Sequence, residues 1–275
     1  MITRRHGNLR LRTAPAPAAS VQLERDGYAI LPGVLAPEAV AALAAEITAV
    51  FETSDPDRPQ DANNEFRHAM FNRSPLSQAA IGAPAILETI EPLLGEDCHV
   101  IANTAWRNIA GHRGGRWHID AGPHVPRAEG VPWPDAIPYP VFAIGAHIFL
   151  KDCPPEAGPT AVVPGSHRSG RFPPVDPALD PETVHPTYEG RGPVLLAARA
   201  GDVALFVSDV WHRGTAAQPG HDRFFLQAHY GRRDIAQRIM TTDAISHADP
   251  QAADRAVTRR ERQLIGLHAP FFYDG

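Results

Sequence analysis

The sequence predicts a mainly β protein: an antiparallel sandwich or jelly roll with helices packed outside it. From residue 98 onwards, seven short runs rich in β-branched and aromatic residues are separated by glycine and proline: HVIANTAW, RWHID, VFAIGAHIFL, TAVVPG, PVLLAA, DVALFV and FFLQAHY. Before that point the apolar spacing is helical. The 28 prolines in 275 residues, about twice the usual share, require many extended and irregular connections. Sheet proteins of this length commonly fold as one unit, so residues 21–275 are read as a single domain behind a flexible tail, residues 1–20.

The elements follow in order. The tail carries arginines but no apolar stretch behind them, so it is not read as a secretion signal. YAILPGV forms a short strand, and Pro37 marks the first turn of a helix whose Val40, Leu43, Ile47 and Val50 share one face. A second helical region spans residues 75–94, with Ile86, Leu87, Ile90, Leu93 and Leu94 as its apolar stripe and Gly95 as its stop. The strand runs come next, interrupted by two Pro-rich insertions at 121–140 and 169–193.

Composition narrows the function. A net charge of -5 argues against a nucleic-acid partner, which requires a basic excess. No segment is apolar enough for a membrane span. Two cysteines, Cys98 and Cys153, are too few to staple a secreted fold and point to free thiols in the cytoplasm. The sequence carries no signal for an oligomeric state.

The chemistry starts at GGRWHIDAGPH, residues 114–124. Residues two apart on a strand project to one face, so His118 and Asp120 converge while Ile119 points away. Chance alone supplies one or two His-x-Asp/Glu matches in a chain with 14 histidines and 31 acids, and there are two. The first finds a third ligand in His212, at the end of the strand in GDVALFVSDVWHRG. The second, His247 and Asp249, is followed only by His268 and cannot complete a set. Two histidines and a carboxylate with an open side suit non-haem Fe(II), although zinc accepts the same ligands. Eleven residues beyond His212 stands Arg223, whose guanidinium can grip a carboxylate in bidentate fashion and so implies a dicarboxylate cosubstrate.

Four blocks in fixed order then resemble the phytanoyl-CoA dioxygenase (PhyH) family of Fe(II)- and 2-oxoglutarate-dependent oxygenases. They are ERDGYAILPGVLAPEAVAAL, WHID, IFLKDCPPEAGPTAVVPGSHRSG and AGDVALFVSDVWHRG, within about residues 20–233. The resemblance implies a double-stranded β-helix, the cupin-like form of the jelly roll, with iron at one open end. It implies His118, Asp120 and His212 as iron ligands and Arg223 on 2-oxoglutarate. By the same likeness Asn103, Arg107 and His147 stand near the cosubstrate. The family often has a hydroxyl side chain two residues after the distal histidine; here that place is Gly214, with Thr215 next. His167 of the PGSH segment reads as part of a turn.

The resemblance further implies consumption of O2 and 2-oxoglutarate, release of succinate and carbon dioxide, and hydroxylation of an unactivated C–H of a small molecule. Asp120 favours hydroxylation over halogenation, because related halogenases lack that carboxylate. Trp117 and Trp211 are candidates for lining the substrate cavity, and Trp133 and Tyr139 for a lid, since their long insertion directly follows the metal motif. A hydrophobic lid suits a bulky secondary metabolite. The rivals are a non-catalytic cupin-like binding protein, which does not need these four residues together, and a zinc hydrolase, which does not need Arg223.

Overall fold

A computed structural model describes residues 16–53, 64–120, 122–131, 133–134, 136–239 and 247–268, together with a short backbone pairing of Arg5–His6 (β1) with Leu9–Arg10 (β2). The remaining elements are α1 (Ala18–Asp26), β3 (Tyr28–Leu31), α2 (Pro37–Thr53), β4 (Asn64–His68), α3 (Met70–Arg73), α4 (Pro75–Ile81), α5 (Pro84–Leu94) and β5 (His99–Asn108). After them come β6 (Ala143–Phe149), β7 (Thr160–Val162), β8 (Val194–Leu195), β9 (Val203–Val207), β10 (His212–Gly214), β11 (Arg223–Gly231), α6 (Pro250–Arg255) and α7 (Arg259–Leu264). Among the described residues no helix is long and apolar enough to cross a membrane.

The strands form a two-sheet jelly roll. The major sheet runs β3-β9-β6-β11-β5-β4 with every neighbouring pair antiparallel, and the minor sheet runs β10-β7-β8. Alternation along each strand divides the major sheet's side chains between two layers. Ala146, Leu205, Leu226 and Ala228 face the helices and join one cluster with Leu23, Leu43, Ile47, Ile86 and Ile90. Ala204, Phe206 and Phe225 face the other way and meet Val162 and Leu196 of the smaller layer. A third cluster, Trp117, Ile119, Ala161, Val163 and Trp211, lies on the outer side of the minor sheet, with Val175 and Tyr188 of the second long insertion against it.

The helices differ from the sequence reading in three places. Residues 18–20, assigned to the tail, are the first turn of α1, and Ser20 is buried with its hydroxyl donating to the Thr89 carbonyl at 2.7 Å. Residues 75–94 hold two helices, because Pro84 disfavours the α conformation at Ala83 and ends the first of them. On α2 the buried face ends with Phe51, while Val50 is half-buried at its edge. The C-terminal helices, which carry no long apolar stripe, were not legible; both start on side-chain caps, Asp249 and Thr258.

Gly145 of β6 lies directly under Phe206, and a Cβ at that position would come within 2.6 Å of the ring. Phe206 in turn contacts the imidazoles of His147 (5.1 Å between centroids) and His212 (4.9 Å). Gly145→Ala is therefore expected to lower unfolding free energy by about 1–3 kcal/mol, through overpacking, in urea or guanidinium titrations. An unchanged midpoint would mean that the ring yields freely.

Candidate metal centre

The segment carrying His118 and Asp120 is not a regular strand. It pairs with β10 through one antiparallel bridge, in which His118 N donates to His212 O at 2.9 Å and His212 N to His118 O at 3.0 Å, and Gly115 N donates to Gly214 O at 2.8 Å. Asp120 N then donates to Ser208 O at 3.1 Å. This suffices to keep the alternation: Trp117 and Ile119 enter the outer cluster, while His118 and Asp120 turn to the opposite side, towards His212. One potential ligand atom from each of the three lies within 4.8 Å of the others, and they are the sole such cluster among the described residues.

The imidazoles are oriented for a metal. His118 Nδ1 lies 2.8 Å from the Arg116 carbonyl and His212 Nδ1 2.9 Å from the Val210 carbonyl, so each Nδ1–H has an acceptor and each Nε2 lone pair is free. Those Nε2 atoms stand 4.0 Å and 3.3 Å from Asp120 Oδ1. Burial opposes ionisation of Asp120, yet His212, His229 and His118 together hold its carboxyl below the usual carboxylate range. Burial and the neighbouring His212 push His118 down. Burial also works against a charged His212, but Asp120 outweighs it and raises the group. His118 is 50% exposed while His212 is 6% exposed, so the centre is walled on the β10 side and open on the other. These donors fit Fe(II) with vacant positions on its open side.

The open side faces a cavity of about 330 Å³ between the two sheets. Arg223, at the start of β11, lies in its wall and is buried. Its Nε donates to Asn108 Oδ1 and its Nη1 to the Gly158 carbonyl, both at 2.9 Å; no carboxylate among the described residues pairs with it. Burial without a counter-charge pushes the guanidinium down to about 10, which leaves it cationic at neutral pH. A buried cation without a counter-charge is costly. Gly114, at φ +69, lets the loop before the metal motif lie against β10: a Cβ there would meet the Gly214 carbonyl at 2.5 Å.

The other expected residues divide by strand phase. His147 faces the cavity, its ring 4.4 Å from that of Phe225, and burial holds it well below its ordinary value. Asn103 and Arg107 do not line the cavity. On β5 the cavity positions include Trp106 and Asn108, whereas Asn103 donates to the Gln227 carbonyl at 2.7 Å and Arg107 pairs with Glu65 at 2.6 Å over the Phe51 ring. Thr215, one residue out of phase with Gly214, turns its hydroxyl to the Pro159 carbonyl at 2.7 Å.

The aromatics also lie elsewhere than expected. Trp117 sits under Arg213 in the outer cluster, and Trp211 borders a separate outer groove of about 480 Å³ with Phe172 and Tyr188. Trp133 is half-buried against the core, and Tyr139 is buried with its hydroxyl donating to Asp209 Oδ2 at 2.7 Å. Asp209 also accepts from His124 N at 3.1 Å and contacts the His124 ring, so it ties down both ends of the insertion that follows the metal motif. Phe206, Phe225 and Trp106 are the aromatics that line the metal cavity. His167 is buried in its turn, with Nε2 against the Glu24 carbonyl at 2.9 Å. His247 is exposed and Asp249 caps α6, accepting from Ala252 N at 2.7 Å.

His229 was not foreseen. Its Nε2 lies 3.7 Å from Asp120 Oδ2, and it follows Arg223, Phe225 and Gln227 on the cavity face of β11. Counting in twos from Arg223 reaches it.

The phytanoyl-CoA dioxygenase (PhyH) family model matches residues 23–225. Among solved structures, the chain is similar to the non-heme alpha-ketoglutarate-dependent epimerase SnoN from nogalamycin biosynthesis, with 21% identity and a TM-score of 0.62 over 84% of this chain and 92% of that one. SnoN in complex with Fe3+, alpha-ketoglutarate and nogalamycin RO gives the same identity and TM-score over 84% and 89%. The non-heme alpha-ketoglutarate-dependent carbocyclase SnoK from the same biosynthesis matches at 22% identity and a TM-score of 0.61, again over 84% and 89%. With the family model covering most of its length and a His-Asp-His centre at the open end of its jelly roll, the chain belongs to the phytanoyl-CoA dioxygenase (PhyH) family of iron- and 2-oxoglutarate-dependent oxygenases.

Proposed function

We propose that the chain from α1 onwards acts as one catalytic unit that hydroxylates an unactivated C–H bond of a small secondary metabolite, releasing succinate and carbon dioxide. The observation that carries this reading is one cavity holding both the open side of the His118-Asp120-His212 centre and a buried, uncompensated Arg223. Ferrous iron bound to the three ligands would supply dioxygen activation coupled to oxidation of 2-oxoglutarate. Arg223 holds the far carboxylate of that diacid. Trp106, Phe206 and Phe225 give the otherwise polar cavity its apolar surface, and a volume of about 330 Å³ suits a small molecule. The free, buried Cys98 and Cys153 fit a reducing cytoplasm.

A second reading, inversion of a stereocentre or closure of a ring, is favoured by the reactions named for SnoN and SnoK. One experiment separates them. Fe(II) and 2-oxoglutarate are added anaerobically, where a visible charge-transfer band is expected; oxygen is then admitted with a panel of natural products, and succinate and product mass are read. Gain of one oxygen atom marks hydroxylation, unchanged mass epimerisation, and loss of two hydrogens ring closure. Absence of both the band and any succinate sinks the oxygenase reading and favours a binding protein or a zinc hydrolase.

A further inference from the structure

We infer that His229 of β11 is a specificity-determining residue: it offers its Nδ1–H to an oxygen acceptor of the substrate, a carbonyl, ether or hydroxyl, at the end of the cavity away from Arg223. The inference rests on the oxygenase reading above and adds to it the group by which the substrate is held.

Position comes first. The cavity face of β11 runs Arg223, Phe225, Gln227, His229, so six residues, about 20 Å of strand, separate its two ends. Arg223 is buried at the first end, which the diacid occupies on that reading. At the other end His229 is 18% exposed and shares the cavity with His118, 50% exposed, so a molecule arriving from solvent meets this end first. The neighbouring strands leave room there. His229 lies opposite Gly145 of β6 and Ala102 of β5, which carry little or no side chain. Phe206 fills the Gly145 side, its ring edge-on to that of His229 at 6.5 Å, while Ala102 on the other side is half-buried.

Direction comes next. Trp106 Nε1 lies 2.8 Å from Gln227 Oε1, and an indole N–H can only donate, so the Gln227 amide keeps its oxygen on that side. The amide nitrogen lies 3.0 Å from His229 Nε2, which therefore accepts. Asp120 Oδ2, 3.7 Å from the same Nε2, is outside hydrogen-bond range. A neutral imidazole that accepts at Nε2 carries its proton on Nδ1. Among the described residues that Nδ1 has no hydrogen-bond partner, and it is not one of the polar atoms sealed from solvent. His118 and His212 are wired the opposite way, with Nδ1–H spent on backbone carbonyls and Nε2 kept for the metal. A cavity donor left open in this manner selects for a substrate that brings an acceptor, because one without it leaves the N–H unpaired.

The test separates the two ring nitrogens. An asparagine amide nitrogen reaches the place of Nδ1, a glutamine amide nitrogen that of Nε2. The probe is the compound of the natural-product panel that most stimulates succinate release by the parent, and its KM and kcat are measured with Fe(II) and saturating 2-oxoglutarate. His229→Phe and His229→Gln are expected to raise KM about tenfold, the scale of a lost hydrogen bond that leaves a partner unpaired. His229→Asn should stay within about threefold of the parent. All three variants should keep parent-like iron content and, in anaerobic calorimetry, parent-like 2-oxoglutarate affinity. An unchanged KM in His229→Phe overturns the inference. So does equal loss in the asparagine and glutamine variants, which makes His229 a packing residue, or loss of iron from His229→Phe, which makes it a support of the metal. Each of these failures leaves the oxygenase reading standing. A panel in which no compound stimulates the parent removes the proposed substrate class, and the His229 assignment falls with it.

Discussion

His212→Ala abolishes iron binding and turnover together. The side chain is buried, its Nδ1 is committed to the Val210 carbonyl, and its Nε2 stands 3.3 Å from Asp120 Oδ1. Outer-shell changes typically cost 10–100-fold in metal affinity, so removal of a direct ligand is expected to exceed about 100-fold. Iron content after gel filtration, with far-ultraviolet circular dichroism as a check on folding, measures this. A folded variant that retains stoichiometric iron would remove His212 from the centre. His247→Ala serves as the control, since that exposed histidine lies outside the metal cluster and its carbonyl accepts from Asn72, and iron binding should be unaffected.

Arg223→Ala produces the second large effect, confined to the cosubstrate. A desolvated guanidinium facing a carboxylate typically contributes about 2–5 kcal/mol when its loss is measured by truncation, which corresponds to a rise on the order of 100-fold in the 2-oxoglutarate dissociation constant. Iron affinity should stay near that of the parent, because the arginine bonds to Asn108 and Gly158 and to none of the three ligands. Arg223→Lys should recover only part of the loss, since an ammonium lacks the planar fork. Parent-like 2-oxoglutarate binding in Arg223→Ala would make the residue structural.

The same alternation rule made some of this centre legible and, where it was not applied, hid the rest. It placed His118 and Asp120 on one side; applied one residue further in each direction, it sends Trp117 outwards, and Trp211 likewise beside His212. The resemblance points to Asn103 and Arg107 on the right strand, but the cavity takes Trp106 and Asn108, and a one-residue slip moves a side chain to the other face of a sheet. His229 and Gln227 were readable by counting in twos from Arg223. Asp209 was not readable, because its partners His124 and Tyr139 are 85 and 70 residues away, and no local pattern announces such a contact. Most strands were legible from β-branched and aromatic runs, but β4, with the polar sequence NEFRH, lies outside them and is fixed by its pairing with β5, as the two-residue β8 is by its pairing with β7.

The short pairing between the metal segment and the stretch around β10 has a thermal consequence. An ion held by side chains from both stretches adds to those few backbone bonds, and an ion that binds only the native form raises the melting temperature in proportion to the logarithm of its concentration. The heat resistance of this protein therefore becomes a gauge of the iron supply around it, and a chelator alone should loosen the rim of the barrel before the helices give way.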